Sequence, residues 1–139
     1  MRIEKIYALY KESYKVFKDT RDEAKDAIYF SLKGANFNGN AYAMEALKKG
    51  ASYAVIDEKQ YKVDDRMILV EDALTCLQDL ARYHRQQLKV PIIALTGSNG
   101  KTTTKELIHV VLDKKFNCYA TKGNFNNHIG VPLTLLSIT

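Results

Sequence analysis

An apolar run, Val90-Pro91-Ile92-Ile93-Ala94-Leu95, is followed by the turn Thr96-Gly97-Ser98-Asn99-Gly100 and then by Lys101-Thr102-Thr103-Thr104. Beyond that, Leu107, Ile108, Val111 and Leu112 recur at helical spacing. The order is buried strand, glycine turn, helix, which is the construction of a phosphate cradle. Gly97 and Gly100 allow a tight turn whose N–H groups point inward, toward an anion at a helix N-terminus. In such a loop Lys101 reaches the β- and γ-phosphates of a nucleotide, and the Thr102 hydroxyl is placed to ligate Mg²⁺. The expected ATP contacts are Thr96, Gly97, Ser98, Asn99, Gly100, Lys101, Thr102 and Thr103, with Lys101 as the catalytic cation. Leu95 stands at the first position of the strict G-x-x-x-x-G-K-[ST] pattern, so the loop is a shorter variant, T-G-S-N-G-K-T.

The rest of the chain reads as α/β. Ile3, Ile6, Tyr7 and Tyr10 share one face, which predicts a short amphipathic helix over residues 2–11. Val16-Phe17 and Ala27 to Leu32 read as strands, the second rich in aromatic and branched residues. Lys33 to Asn40 is turn chemistry with Asn-Gly as a breaker. A helix over 41–49 stops at Gly50, strands follow at 53–57 and 67–70, and a long helix covers 73–88. Asn117 to Thr121 reads as a further parallel strand beside that at 90–95, and 122–130 as a polar loop. Two units are expected: a small α/β domain at 1–88, and the beginning of a P-loop domain at 89–139. Two strands cannot cover their own edges and faces, so that second domain is expected to be incomplete.

Composition narrows the class. Of 139 residues, 46% are hydrophobic, enough for a core. No apolar run approaches the roughly 18 residues that cross a bilayer, and Met1 to Tyr7 carries no hydrophobic signal core. Cytoplasmic residence without membrane insertion is expected. Cys76 and Cys118 are the only cysteines and lie in runs read as core, which favours buried thiols over a disulfide or metal pair. The three histidines show no metal-ligand spacing. A net charge of +5 permits nucleic-acid binding, but the basic residues form no block and no RNA-binding signature occurs, so no nucleic-acid partner is expected.

Three separated motifs resemble the Mur ligase family, the ATP-dependent amide-forming enzymes of peptidoglycan precursor synthesis. Asp19-Thr20-Arg21 with Ala27 to Gly34 is similar to the family's D-[ST]-R … L-F-x-A-x-x-G opening. Phe37-Asn38-Gly39-Asn40, Ala46, Gly50-Ala51 and Ala54-Val55 resemble its continuation, with Asn38 and Asn40 standing where Asp and His are common. T-G-S-N-G-K-T is similar to its ATP loop, and Thr121 to Leu136 resembles the branch that adds D-alanyl-D-alanine, with His128 where an acidic residue is usual.

The resemblance implies a UDP-binding domain at 1–88 and the start of a central ATPase domain at 89–139, with ATP and Mg²⁺ as cofactors. It implies UDP-N-acetylmuramoyl-tripeptide and D-alanyl-D-alanine as substrates, the second bound mostly by parts of the enzyme outside these residues. A substrate carboxylate is phosphorylated by ATP, and the acyl phosphate is attacked by the incoming amine. Thr20 and Arg21 become candidates to grip a uracil–ribose or diphosphate. Asn38 and Gly39 either meet a nucleotide or only turn the chain. Asn124, Asn126 and Asn127 could hydrogen-bond a peptide or phosphate, or cap the following helix. The 139 residues alone are not expected to catalyse ligation. The competing readings are a UDP-sugar binding module without ATPase function, and a Mur or folylpolyglutamate-type ligase of different specificity.

Overall fold

The computed structural model describes residues 2–22, 25–123 and 125–139. Helix α1 spans Ile3–Tyr10, strand β1 Val16–Phe17 and strand β2 Ile28–Phe30. A two-stranded antiparallel hairpin, β3 (Lys33–Gly34) and β4 (Phe37–Asn38), leads through a 3-10 turn at Gly39–Tyr42 into α2, Ala43–Lys48. Gly50 follows the α2 cap at φ +108°, the left-handed C′ position that the sequence places there. Then come β5 (Tyr53–Ile56), β6 (Met67–Leu69), α3 (Ala73–Gln87), α4 (Lys101–Leu112) and α5 (Gly130–Leu135).

Strands β1, β2, β5 and β6 form one parallel sheet in the order β1-β2-β5-β6. Successive side chains on a strand point to opposite faces, and here both faces are covered. Ile28, Phe30, Val55 and Ile68 pack with Ile6, Tyr10, Leu77 and Leu80 of α1 and α3. On the other face Tyr29, Ala54, Ile56 and Met67 pack with Ala43, Ala46 and Leu47 of α2. This is why β2 is buried at all three of its positions. Cys76 lies inside the α3 side, where burial pushes its thiol up to about 12; it is a packing residue. Cys118 is half-buried, and both cysteines are free.

The strands expected at 90–95 and 117–121 do not form. Both segments lack regular structure, and Val90, Ile92, Ile93 and Leu95 are exposed. Strand hydrogen bonds run between strands, so an apolar run makes no ladder without a paired neighbour, and among the described residues neither run pairs. Helix bonds are internal, so α4 forms although none of its residues is buried; Leu107 and Val111 of the expected inner face are exposed.

The last residues return to the first unit. Leu136 is buried in the α1/α3 core, and its carbonyl accepts from Tyr10 Oη at 2.7 Å. His84, buried on α3, has Nε2 2.8 Å from the Ile138 carbonyl and Nδ1 3.3 Å from Tyr7 Oη. Gln78 Nε2 donates to the His128 carbonyl at 3.0 Å. No helix among the described residues is long and apolar enough to cross a membrane. Leu136→Ala is expected to lower the unfolding free energy by about 3 kcal/mol in a urea titration, the cost of a cavity at a filled site. A change within about 0.5 kcal/mol would mean that the tail lies outside this core.

Candidate functional site

The loops after β1 and β2 meet at the carboxyl ends of the parallel strands, where ligands of open α/β sheets bind. There Asp19, Thr20, Arg21, Tyr29, Phe37, Tyr42 and Glu45 line an open cleft of about 280 Å³. Asp19 folds its own loop: Oδ1 accepts from Arg21 N at 3.0 Å, and its carboxylate receives Arg21 Nε at 2.9 and 3.1 Å. This fork holds the Asp19 carboxyl far below its usual range and the guanidinium outward, fully in solvent apart from that contact. Lys49, at the end of α2, donates to the Thr20 carbonyl at 2.9 Å and pairs with Glu45 at 2.7 Å. The Lys49 bond keeps the Glu45 carboxyl below its usual range.

Tyr29 crosses from the sheet to the cleft. Burial, with the charges of Asp19 and Glu45 beside it, pushes its phenol up to about 12, so it stays a neutral donor and bonds the Gly39 carbonyl at 3.0 Å. Phe37 and Tyr42 stack with ring centroids 5.2 Å apart and planes 15° from parallel, both substantially exposed. The cleft therefore offers an aromatic wall, two carboxylates as acceptors and one guanidinium as donor, a set suited to a base and a hydroxyl-bearing sugar.

Behind the aromatic wall lies a buried polar hub. Asn40 is almost wholly enclosed. Its Nδ2 donates to Asn38 Oδ1 at 2.9 Å and Asp57 Oδ1 at 2.8 Å, and its Oδ1 accepts from Asp57 N at 3.0 Å. The Ser31 hydroxyl, 3.1 Å from Asn40 Oδ1 and 2.7 Å from the Val55 carbonyl, shares its hydrogen between the two. Asp57 Oδ2 accepts from Ala73 N at 3.1 Å, while Asp72 Oδ1 accepts from Thr75 N at 2.6 Å, so two carboxylates cap α3 and complement its dipole. Lys33 Nζ sits 3.1 Å from Asp57 Oδ1. Burial disfavours the Asp57 charge, but the bonds from Asn40, Ala73 and Lys33 outweigh it and hold the carboxyl below its usual range.

The glycine loop is an independent second region. Gly100 caps α4 at φ +76°, with no side chain closing the helix start, and Gly97 lies at φ +143°. Only glycine takes such backbone freely. Lys101 Nζ folds back onto the Gly97 carbonyl, and Thr102 and Thr103 are exposed at the first turn of α4. One turn on, Lys105 Nζ bonds the Thr121 carbonyl at 2.5 Å and the Gly123 carbonyl at 3.2 Å, tying α4 to the asparagine-rich loop. Sequence reading assigned Lys105 nothing; its signal is a lysine at the fourth position after another on the same helix face.

The expected substrate residues divide. Thr20 and Arg21 line the cleft. Asn38 and Gly39 turn inward: Asn38 Nδ2 donates to Glu58 Oε1 at 3.1 Å, and Gly39 spends its N–H on the Leu32 carbonyl at 3.0 Å and its carbonyl on Tyr29. A Cβ on Gly39 would come within 2.5 Å of the Leu32 carbonyl, so glycine there serves close packing. Asn126 is exposed. Asn127 caps α5, its Oδ1 accepting from Gly130 N at 2.7 Å and Ile129 N at 3.1 Å. Asn124 lies outside the described residues.

Comparison with known proteins gives a consistent set. Residues 95–139 match the model of the Mur ligase middle domain. The chain is 42% identical over 122 residues to the UDP-N-acetylmuramoyl-tripeptide–D-alanyl-D-alanine ligase of Bacillus subtilis, covering 86% of this chain and 27% of that protein. It is 37% identical over 121 residues to the enzyme of that description from Escherichia coli, covering 87% and 26%. Among solved structures, MurF from Acinetobacter baumannii and the MurF ligase of Thermotoga maritima in complex with ADP each superpose with TM-score 0.79 at 31% identity over 90% of this chain. They are covered to 28% and 29% of their own length. The chain thus spans about a quarter of the length of the relatives it matches.

The hub sets a pH dependence. A carboxyl depressed on folding contributes stability above its unfolded pKa of about 3.9, and that stability is lost as pH falls through the lower folded value. Asp57→Asn is expected to cost about 3 kcal/mol at pH 7, because the new amide faces donors, and to flatten the loss of stability below about pH 4. Equal acid slopes in both proteins would show that Asp57 does not carry this linkage.

Proposed function

Because the chain belongs to the Mur ligase family, we propose that it forms the UDP-binding and phosphate-cradling part of a ligase that joins D-alanyl-D-alanine to UDP-N-acetylmuramoyl-tripeptide at the expense of ATP. The carrying observation is the cleft at the carboxyl ends of β1 and β2. Its aromatic wall, its acceptors and the outward guanidinium of Arg21 suit the uridine end of the tripeptide substrate. Thr20 and Arg21 contact that ligand in this reading, while Asn38 and Gly39 shape the wall from behind. Residues 1–88 form the UDP-binding domain, and 89–139 belong to the ATP-binding domain.

The glycine loop fits a magnesium-bound triphosphate by its own chemistry. Left-handed backbone at Gly97 and Gly100 opens the uncapped start of α4, where N–H groups and the helix dipole favour an anion. Thr96, Ser98, Asn99 and Thr103 surround that start; Lys101 supplies the mobile positive charge and the Thr102 hydroxyl the metal ligand. Mg²⁺, when bound, supplies charge neutralisation for phosphoryl transfer. To reach a phosphate, Lys101 exchanges the Gly97 carbonyl for a phosphoryl oxygen. Asn126 and Asn127 stand on the loop that Lys105 ties to the same helix, and together with Asn124 they are the proposed peptide-side contacts. On its own the 139-residue chain binds and does not ligate.

Calorimetric titration checks this reading, with UDP-N-acetylmuramoyl-tripeptide and UDP against a short oligonucleotide. Both uridine ligands are expected to bind, the oligonucleotide not, and Arg21→Ala to weaken UDP about tenfold. A folded chain that binds oligonucleotide but neither uridine ligand would sink the proposal. So would amide formation by the chain with ATP and both substrates, for the claim that it does not ligate alone.

A further inference from the structure

We infer that Asn40 is a positioning residue for the cleft: its buried carboxamide fixes the hairpin-and-turn segment that holds Phe37 and Tyr42 in a stacked wall. The inference rests on the reading of the cleft as the UDP site, and concerns a residue that touches no ligand. Phe37 and Tyr42 flank the turn on either side of Gly39 and Asn40; the β3–β4 pairing holds one end and the buried start of α2 the other, and the turn sets how the two rings meet. The turn is enclosed at Gly39 and Asn40, but the two rings beside it owe little to apolar packing: Phe37 is 47% and Tyr42 40% exposed. Its anchorage is polar instead. The Asn40 amide joins Asn38 within the turn, the end of β5 through Asp57, and the start of α3 through the bond from Ala73 to the same carboxylate. The Asn40 N–H also donates to Asn38 Oδ1 at 3.0 Å, closing the turn on itself. From the cleft side, the Tyr29 hydroxyl holds the Gly39 carbonyl.

Only a carboxamide satisfies this site. Asn40 must donate to two acceptors, Asn38 Oδ1 and Asp57 Oδ1, and accept from Asp57 N with the same planar group. A carboxylate there would face the Asp57 carboxylate across a hydrogen-bond distance and take the amide donor from both acceptors, leaving Asn38 Oδ1 the Asn40 N–H and Asp57 Oδ1 the Lys33 ammonium. The wall would then lose its anchor while both hydrophobic cores stay intact.

The test compares Asn40→Asp with Asn38→Ala, a milder cut in the same network, and with Tyr10→Phe, which removes the bond to the Leu136 carbonyl in the opposite core. UDP affinity is read by calorimetry, and the wall by nuclear Overhauser contacts between the Phe37 and Tyr42 rings. Asn40→Asp is expected to weaken UDP about tenfold and to erase the ring contacts. Asn38→Ala should do both to a smaller degree, and Tyr10→Phe should lower stability with affinity and contacts unchanged. The double variant Asn40→Asp/Asp57→Asn, which transposes donor and acceptor, should regain part of both signals. Ring contacts and affinity retained in Asn40→Asp and Asn38→Ala would overturn the inference, as would equal losses in Tyr10→Phe, which would mark a general effect of stability. If the unsubstituted chain binds no UDP, yet the ring contacts vanish in Asn40→Asp and persist in Tyr10→Phe, the cleft reading fails and the positioning role of Asn40 stands.

Discussion

A parallel sheet with apolar side chains on both faces must be covered twice, and that requirement organises the first unit. Ile28, Phe30, Val55 and Ile68 demand one helical layer, and Tyr29, Ala54, Ile56 and Met67 another. Helices α1 and α3 answer the first and α2 the second. The chain must therefore cross the carboxyl edge of the sheet after each strand, which gathers the loops of β1, β2 and β5 at one rim. Of the buried polar side chains among the described residues, Ser31 and Asn40 lie there, while His84 sits on α3 beside Tyr10.

Two kinds of polar group share that rim. Asp57, Asn40 and Asn38 are consumed by mutual hydrogen bonds, whereas Arg21 and Glu45, paired with Asp19 and Lys49, stay exposed in the cleft beside Phe37 and Tyr42. The division follows burial: an enclosed polar atom must be paired, and an exposed one need not be. Tyr29 belongs to both sets, with its ring in the core, its hydroxyl on Gly39 and its edge on the cleft.

What could be read from the sequence follows the range of the forces involved. Helix α3 announces itself through its apolar stripe, α2 through its stop at Gly50, and β2, β5 and β6 through short apolar runs. The glycine loop and the α/β character of 1–88 were legible for the same local reasons. The β3–β4 hairpin was not, since Lys33 to Asn38 carries only turn residues and its pairing is two residues a side. Strands were expected at 90–95 from apolarity and at 117–121 as the next parallel strand of that unit, but a ladder depends on a neighbour that no local pattern specifies. At the site, Thr20 and Arg21 were legible from their motif. Tyr29 read only as part of a strand and Glu45 only as part of a helix, because the cleft that unites them comes from long-range folding. For Asn127 the sequence leaned towards binding over capping; its Oδ1 accepts from the Ile129 and Gly130 N–H groups at the start of α5.

The return of the tail to α3 has a mechanical side. The segment carrying the glycine loop and α4 leaves at the end of α3 and comes back to the flank of the same helix, where Gln78, His84 and Leu136 secure it. It is a handle fastened at both ends. A handle of that kind can rock about the line joining its two fastenings, but it cannot swivel as it would on one tether. For the glycine loop to approach the first unit, either α4 moves with both fastenings to α3 in place or one of them parts.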